Sequence, residues 1–429
     1  MDLYPANVRL FVAFRVLFNA RFYYPVFAVM FLDFGLTMEE LAILNAIWAI
    51  AIVSLEVPSG ALADRIGRKP MVALAAVLMV IEMALIAFVP LGNHALVFWV
   101  FVLNRVISGA AEACASGADE ALAYDSLVAS GQASEWPRVL ESMLRWQSAG
   151  FFIAMPVGAA LYDPDFVNPV AQWLGASVQF ARSDTLRFPI YVTLGVALGT
   201  CVAAFRMKEP PLVSRPQAET HGTLGLILGA GRWILATPAV LVLILAGLLH
   251  DSFIRLQLTL GSEFYRLIQL PEASYGLIGA AMSALGFFLP AWARRLCEHR
   301  TAAFNFAVVA AMTFVGLVGI GLAWPFWGLA FAVILRVAIG LVGFFLSHYI
   351  NEMADSSHRA TVLSFRGLAL NLGYGGLGLA YAALHQSVRT QSPPGTEASV
   401  MFAETLRWLP WCFLVGLAAL VVFARRKLR

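Results

Sequence analysis

Apolar residues occur in twelve long runs along the chain, separated by short polar segments. Each run is close to the roughly 20 residues that a helix needs to cross the hydrocarbon core of a bilayer. The runs are continuous rather than alternating, which predicts membrane helices and not barrel strands. The predicted spans, numbered 1 to 12, lie at about 8–34, 40–62, 70–90, 95–119, 139–162, 188–206, 238–261, 273–294, 301–323, 326–350, 361–386 and 402–424.

One polar, proline-rich segment interrupts this pattern in mid-chain, from Lys208 to Thr223. It leaves six predicted spans on each side. We therefore expect an all-α membrane protein in which residues 1–207 form a first six-helix bundle. Residues 208–237 then form a cytoplasmic linker, and residues 238–429 form a second six-helix bundle.

Composition excludes most other classes of protein. Hydrophobic residues make up 60% of the chain and charged residues 13%, against roughly 45–50% and 25% in soluble globular proteins. The mean hydropathy of +0.77 also excludes disordered and disulfide-rich secreted chains. The four cysteines are far apart and have no metal-ligand spacing, so we predict neither a metal site nor a cofactor. The amino terminus lacks a signal-peptide cleavage pattern, so span 1 is expected to remain in the protein as a membrane span.

The distribution of basic residues predicts the orientation in the membrane. If the amino terminus is cytoplasmic, the segments on that side hold 17 Lys and Arg residues, and the opposite segments hold five. The remaining seven basic residues lie within spans. Because basic residues accumulate on the cytoplasmic side, we expect both termini to be cytoplasmic. A bacterial inner membrane is the expected location.

The two halves share a repeated pattern. Span 4 contains Arg105-Val-Ile-Ser-Gly109, and span 10 contains Arg336-Val-Ala-Ile-Gly340, 231 residues later. Glu120 and Glu352 follow these spans and are 232 residues apart. Two matches in the same register predict that a six-span unit was duplicated, so the two bundles should be pseudo-symmetric.

The segment between spans 2 and 3 reads Gly60-Ala-Leu-Ala-Asp64-Arg65-Ile-Gly67-Arg68-Lys69. It resembles the signature loop of the major facilitator superfamily, and Leu103 to Ala111 resembles that family's span-4 motif. The segment from Ser116 to Asp125 is similar to a bacterial drug-efflux-like subgroup.

The resemblance implies a transporter whose signature loop takes part in gating. Arg65, Arg68 and Lys69 are then expected to pair with acidic residues after span 4. The gating residues that the resemblance implies are Gly60, Asp64, Arg65, Gly67, Arg68, Asp119 and Glu120, with Asp125 as a further acidic partner. A role in topology and folding alone is the alternative.

Polar residues at the middle depth of a span are costly unless they face protein or water, so each is a functional candidate. They fall in spans 1, 4, 7, 10 and 11. The candidate cavity residues are Arg15, Asn19, Arg21, Tyr23, Arg105, His250, Asp251, Arg255, Arg336 and Asn371. The resemblance implies that spans 1, 4, 7 and 10 line a central cavity. Glu82 lies mid-depth in span 3, and the sequence offers no group that neutralises it. Glu56, in the inner half of span 2, is expected to belong to the gating region.

Proton coupling is predicted from carboxylates that lie near arginines. Burial raises the pKa of a carboxyl group and a neighbouring arginine lowers it, so a change in access to the arginine can add or remove the proton. The candidates are Arg105, Glu112 and Asp251. Arg105 and Glu112 are two turns apart. Asp251 and Arg255 are one turn apart, so a local structural salt bridge is the alternative for Asp251. His250 is either a proton relay or a hydrogen-bonding partner.

The charges inside the spans favour an anionic substrate only mildly. Seven arginines stand against four carboxylates, and a carboxylate or phosphate would balance the excess. Arg145 and Arg366 lie in the inner halves of their spans, however, and could extend to the interface. Aromatic residues in span 1, such as Phe22, Tyr23 and Phe27, are suited either to an amphipathic ligand or to ordinary packing.

The leading hypothesis is a secondary active transporter that works by alternating access, with proton-coupled export of an amphipathic compound by antiport. The alternative is proton-coupled uptake of an organic anion that the cavity arginines bind. A transport-inactive membrane sensor or assembly partner is a remote third hypothesis. No catalytic or nucleotide-binding motif is present, so an enzyme is not expected. The expected partners are a small-molecule substrate, protons and the lipid bilayer, with no nucleic acid, and the protein is expected to be a monomer.

Overall fold

The computed structural model describes residues 6–210, 231–285, 288–353 and 359–427, without the side chains of residues 57, 61, 64, 351 and 359–364. These residues form helices and connecting loops, with no strand among them. In chain order the α-helices are α1 Ala6–Asn19, α2 Phe27–Asp33, α3 Met38–Ile66, α4 Arg68–Phe88, α5 His94–Ala115, α6 Ala118–Ala129, α7 Trp136–Tyr162, α8 Pro164–Trp173, α9 Arg182–Thr185, α10 Phe188–Arg206, α11 Pro238–Thr259, α12 Gly261–Leu267, α13 Tyr275–Ala284, α14 Leu289–His299, α15 Ala302–Leu322, α16 Gly328–Met353, α17 Arg359–Gln391 and α18 Ala398–Lys427.

The helices agree with the predicted spans in most places. Among the described residues, nine stretches are long and apolar enough to cross a membrane, and the bent pair α13 and α14 makes ten. Predicted span 1 is broken into α1 and α2, and span 5 corresponds to α7, which carries several polar residues. The all-helical class is confirmed, and the count of twelve stays a prediction.

The break in predicted span 1 has a local cause. Pro25 has no N–H and a fixed φ, so the chain leaves α1 at Asn19 and makes a short 3-10 turn at Tyr24–Val26 before α2. The Phe22 N–H donates to the Thr193 hydroxyl of α10 at 3.1 Å. Gly158 of α7 packs against the Phe22 carbonyl with no room for a Cβ. Neighbouring helices therefore hold the break in place.

Predicted span 4 also differs from the structure. Its helix α5 ends at Ala115, and α6 begins at Ala118 after Gly117, whose φ of +74° is in the left-handed region. The acidic segment that follows span 4 is therefore a separate helix. As a result Asp119 lies in the first turn of α6 and Asp125 two turns later.

The described residues divide into two compact units. The first contains residues 6–36, 47–210 and 272–280, and the second contains 37–46, 231–271, 281–285, 288–353 and 359–427. The units follow the two halves of the sequence except for two short exchanged segments, 37–46 and 272–280. The predicted boundaries at 207 and 237 remain predictions, because residues 211–230 lie outside the described part of the chain.

Several helix contacts recur in the two units. In the first unit α4 packs on α5 and α10, and α1 packs on α7 and α10. In the second unit the corresponding helices repeat this pattern: α15 packs on α16 and α18, and α11 packs on α17 and α18. The first unit has an apolar core that includes Phe11, Phe14 and Met79. This repetition agrees with the duplication that the sequence predicts.

Candidate functional site

A buried ion pair joins the break after α1 to the middle of α4. Arg21 Nη1 binds Glu82 Oε1, and the two side chains are 1% and 0% exposed. The Tyr23 hydroxyl accepts from the same nitrogen at 3.5 Å. Sequence reasoning found no partner for Glu82, since the two residues are 61 positions apart. The structure makes Glu82 the main counter-charge of Arg21.

A second carboxylate lies beside the same guanidinium. Glu112 Oε1 of α5 is 4.0 Å from Arg21 Nη2, and the Glu112 side chain is 34% exposed. One cation is therefore shared by a sealed carboxylate, Glu82, and an accessible one, Glu112. A proton on Glu112 would make this group of three charges neutral. Such an arrangement can hold and release one proton.

Arg105, predicted to act together with Glu112, has different neighbours. Its Nε and Nη2 both donate to Asn104 Oδ1, at 3.0 and 2.8 Å. The guanidinium lies over the rings of Phe27 and Phe31, 5.6 and 5.4 Å from their centroids. Arg105 has no ion pair with any carboxylate in the described part of the chain, although it is only 4% exposed. The spacing of two helical turns did not lead to a contact with Glu112.

Arg15 and Asn19, also predicted cavity residues, belong to a different cluster. Arg15 Nε is 2.8 Å from Asp119 Oδ2, and its Nη2 donates to Glu120 Oε1 at 2.8 Å. Asn19 donates to the Arg15 carbonyl at 2.8 Å. The two acidic residues expected to pair with the signature loop are therefore held by α1.

The signature loop itself pairs with the third acidic residue of α6. Arg68 Nη1 donates to Asp125 Oδ2 at 2.6 Å, as one of the expected pairs. Gly60 and Arg65 are exposed. The side chain of Asp64 lies outside the described residues, so its predicted role stays a prediction.

A residue that sequence reasoning missed completes this region. Glu209 follows α10, and its carboxylate accepts from the N–H groups of Arg68 and Lys69, at 3.0 and 2.7 Å. These are the first two residues of α4, whose N–H groups have no partner within the helix. A Cβ at Gly67 would lie 3.0 Å from Glu209 Oε2. Glu209 thus caps the helix that starts in the signature loop.

The neighbouring residue fixes the same segment to α1. The Lys208 N–H donates to Asn7 Oδ1 at 2.9 Å, and the Lys208 carbonyl accepts from Asn7 Nδ2 at 2.6 Å. Asn7 Nδ2 also donates to Ser126 of α6 at 2.9 Å. The beginning of the predicted linker is therefore tied to three helices of the first unit.

In the second unit, three predicted residues come together. Asp251 and Arg255 form an ion pair of 2.6 Å one turn apart on α11. Arg255 Nη1 also donates to Asn371 Oδ1 of α17 at 2.8 Å, and the guanidinium lies 5.4 Å from the centroid of Tyr374. The Asp251 and Arg255 side chains are 10% and 29% exposed. This is the local salt bridge that the spacing predicts, extended by an amide from a second helix.

The other predicted residues of this unit do not join that cluster. The His250 ring packs against the rings of Phe306 and Phe413, and its Nδ1 lies 2.7 Å from the Ala246 carbonyl. This arrangement corresponds to the hydrogen-bonding alternative for His250. Arg336 makes no hydrogen bond or ion pair with any residue that the structure describes. Arg366, near Asp251, has Nε and Nη1 buried without a described partner.

Further ion pairs occur near other helix ends within each unit. In the first unit Arg182 Nη1 is 2.5 Å from Glu272 Oε2, and Asp163 accepts from the Ala273 N–H at 3.1 Å. In the second unit Arg389 Nη1 is 3.3 Å from Glu39 Oε1. Glu39 and Glu272 are 233 residues apart, close to the spacing of the repeated pattern in spans 4 and 10. An acid–arginine pair therefore recurs at related positions of the two halves.

The family model described as the Major Facilitator Superfamily matches residues 10–377, most of the chain. The chain belongs to the major facilitator superfamily. It is therefore a membrane transporter and not an enzyme. No curated protein matched the chain. Membership confirms the family that the signature loop indicates, whereas the drug-efflux-like subgroup stays a prediction.

Solved structures of transporters share the fold. The nucleoside transporter NupG aligns with a TM-score of 0.73 and 14% identity over 99% of each chain. A bacterial homolog of the human lysosomal transporter Spinster aligns with a TM-score of 0.69 and 17% identity, over 99% of this chain and 98% of that one. A D-xylose-proton symporter aligns with a TM-score of 0.68 and 13% identity, over 97% and 96%. At these identities the likeness shows the fold alone.

Proposed function

We propose that this transporter is a proton-coupled secondary transporter that works by alternating access and carries a small amphipathic organic compound. The observation that supports proton coupling most strongly is the sharing of Arg21 between Glu82 and Glu112. Secondary transporters of this general kind bind substrate and coupling ion near the middle of the membrane. Glu82 and Glu112 belong to helices α4 and α5 of the first unit, and Arg21 lies in the break after α1.

Glu112 is the carboxyl that exchanges the proton in this proposal. Glu82 is fully buried and paired with Arg21. Glu112 is 4.0 Å from the same guanidinium and remains partly exposed. An ionised Glu112 leaves one excess negative charge in a buried group, and a proton removes that charge. Access of water to Glu112 then decides when the proton binds and leaves.

Asp251 is the corresponding candidate in the second unit. Its carboxylate is paired with Arg255, and Arg255 is held in turn by Asn371. The pair supports a role in binding or in the transmission of a conformational change. Asp251 is a weaker candidate for proton exchange than Glu112, because Asp251 is paired with Arg255, one turn away on the same helix, and does not share that cation with a second carboxylate among the described residues.

The aromatic residues of the first helix support an amphipathic substrate. Tyr24 is 39% exposed and Phe27 is partly buried beside the rings of Tyr23 and Phe31. Export by antiport with protons follows from the resemblance to the drug-efflux-like subgroup. Uptake of an organic anion is the second candidate, and the absence of a described acid partner for Arg105 and Arg336 favours it. A monomer in a bacterial inner membrane, with cytoplasmic termini, completes the proposal.

Proteoliposomes with an internal pH-sensitive dye test the function. Ethidium serves as the cationic amphipathic probe and 1-naphthoate as the anionic amphipathic probe, each added with and without an imposed pH gradient. We expect a saturable change of internal pH with one of them, and its sign distinguishes antiport from symport. Glu112→Gln should abolish the change, whereas Glu141→Gln, at an exposed position of α7, should not. Traces that equal those of protein-free liposomes for both probes would contradict the proposal and favour a transport-inactive sensor.

A further inference from the structure

The deep arginines of the first unit differ in how their charge is balanced. Arg15 and Arg21 each contact carboxylates, and Arg145 at the surface pairs with Glu141. Arg105 is 4% exposed and has no acidic partner among the residues described. A buried guanidinium without an anion is costly, since the loss of water is not repaid by a counter-charge. An anionic ligand beside Arg105 would supply the counter-charge that the described residues do not.

The surroundings of Arg105 are built to orient it. Asn104 donates to the Glu82 carbonyl at 2.7 Å, which fixes the amide so that its oxygen faces Arg105. That oxygen accepts from Nε and Nη2, and the rings of Phe27 and Phe31 lie along the guanidinium. The Nε–Nη2 edge of the guanidinium is thus held by an amide, and one face of it is covered by aromatic rings. Nη1 keeps both of its N–H donors without a partner in the described parts of the chain.

The same face of α5 leads to an accessible region. Arg105 and Glu112 are seven residues apart, which is about two helical turns, so their side chains leave α5 in nearly the same direction. Glu112 is 34% exposed, and Tyr24, three residues before Phe27, is 39% exposed. A ligand that reaches Glu112 and Tyr24 therefore lies on the face of α5 that carries Arg105.

We propose that Arg105 binds the carboxylate of the transported compound, whose apolar body lies along Phe27 and Tyr24. This inference rests on the proposed function and adds the class of substrate: an amphipathic organic acid. A carboxylate is planar and accepts two parallel hydrogen bonds from a guanidinium, which Nη1 and the remaining N–H of Nη2 can supply. Phe27 and Tyr24 supply the apolar wall that the body of the acid needs.

The repeated sequence supports the choice of Arg105. Arg336 occupies the equivalent position of the second half, 231 residues later. It too makes no ion pair within the described ranges, whereas Arg255 in the same unit does. An arginine without an acid partner thus recurs at the same register position in both halves. Packing alone gives no reason for two such cations.

Matched pairs of acids and amides test the class of substrate. We would measure the thermal shift and the binding heat of purified protein with 1-naphthoate and 1-naphthamide, and with benzoate and benzamide. The two members of each pair have nearly the same shape and differ in charge. We expect the acids to stabilise the protein and the amides to have little effect. Equal shifts for acid and amide, or no binding of either acid, would overturn the proposal.

Substitutions then locate the site. Arg105→Gln should weaken 1-naphthoate binding at least tenfold. Arg145→Gln, the same change at a position that is 75% exposed, is the control and should leave binding unchanged. Arg336→Gln shows whether the equivalent arginine of the second half also binds the acid. If Arg105→Gln fails to fold, Arg105→Lys decides the matter. It keeps the positive charge, but an ammonium group cannot donate two parallel hydrogen bonds to one carboxylate, so 1-naphthoate binding should weaken. Wild-type binding of 1-naphthoate by Arg105→Lys would refute the site.

These experiments need no pH gradient, so their outcome is separate from that of the proposed function. Proton-coupled flux of ethidium together with equal shifts for acids and amides would refute only the substrate class. Binding of acids without any proton movement would refute only the coupling.

Discussion

The two units solve the problem of a charge inside the membrane in different ways. In the first unit Arg21 and Glu82 come from different helices, 61 residues apart, and are almost completely buried. In the second unit Asp251 and Arg255 lie one turn apart on α11 and keep 10% and 29% exposure. A single helix can form the second pair by itself, whereas the first requires the packing of α4 against the break after α1. The Arg21–Glu82 pair therefore depends on tertiary packing, whereas the Asp251–Arg255 pair can form or break without a change in the packing of helices.

This difference predicts the largest effect for Glu82. Glu82→Ala leaves Arg21 buried without its main counter-charge, and we expect a loss of about 3–5 kcal/mol in the free energy of unfolding. Glu141→Ala breaks an exposed pair and should cost less than about 0.5 kcal/mol. Unfolding in detergent by denaturant titration measures both. A Glu82→Ala protein as stable as Glu141→Ala would remove the distinction between the two units.

The packing beside the Arg21–Glu82 pair should tolerate an added methyl group less well than the packing near the Asp251–Arg255 pair. Gly158 meets the backbone of Phe22 at the break beside Arg21, and Gly247 of α11 meets the end of the Leu346 side chain. A Cβ can push aside a leucine methyl more easily than a carbonyl that is held in place. We expect Gly158→Ala to cost about 3 kcal/mol or more and Gly247→Ala about 1 kcal/mol. Gly195, with open space around it, provides the control, and thermal unfolding ranks the three.

Asp251→Asn should have a moderate effect on stability. Arg255 keeps its hydrogen bond to Asn371 and is partly exposed, so the loss should be about 1–2 kcal/mol. The double variant Asp251→Asn/Asn371→Ala should lose more than the sum of the single changes, because Arg255 then has neither partner. Strict additivity in this cycle would indicate that the two residues do not share Arg255.

Glu209→Ala should have the smallest effect and a local one. The loss of the cap at Arg68 and Lys69 should cost about 1 kcal/mol, and it should appear as faster hydrogen exchange in the first turn of α4. Glu397, an exposed residue whose carboxylate accepts a hydrogen bond from the Ser399 hydroxyl, is the matched control. Unchanged exchange at the start of α4 would show that Glu209 does not cap this helix.

The sequence predicted those features that depend on local spacing. The apolar runs predict the helices, and the spacing of Asp251 and Arg255 predicts their ion pair. The signature loop indicates the family, and the charges of Arg68 and Asp125 favour the pair that forms. The Asp251–Arg255 pair is local, whereas the Arg68–Asp125 pair, 57 positions apart, was expected from the resemblance of the signature loop.

The features that escaped prediction depend on tertiary packing. Glu82 and Arg21 meet only because α4 lies against the break after α1, and the break itself depends on Pro25 together with contacts from α7 and α10. Arg105 turns to Asn104 because the Glu82 carbonyl orients that amide. Glu209 reaches α4 from a segment that sequence analysis assigned to a linker. No pattern within one helix contains this information.

The central claim is that Glu112 exchanges a proton beside the buried ion pair of Arg21 and Glu82. Infrared difference spectroscopy of the purified protein during acidification tests it most directly, because a protonated carboxyl has its own carbonyl band. We expect a band in the wild-type protein that Glu112→Gln removes and that Arg21→Gln/Glu82→Gln, which removes the buried pair as a unit, retains. The same band in wild type and Glu112→Gln would contradict the account.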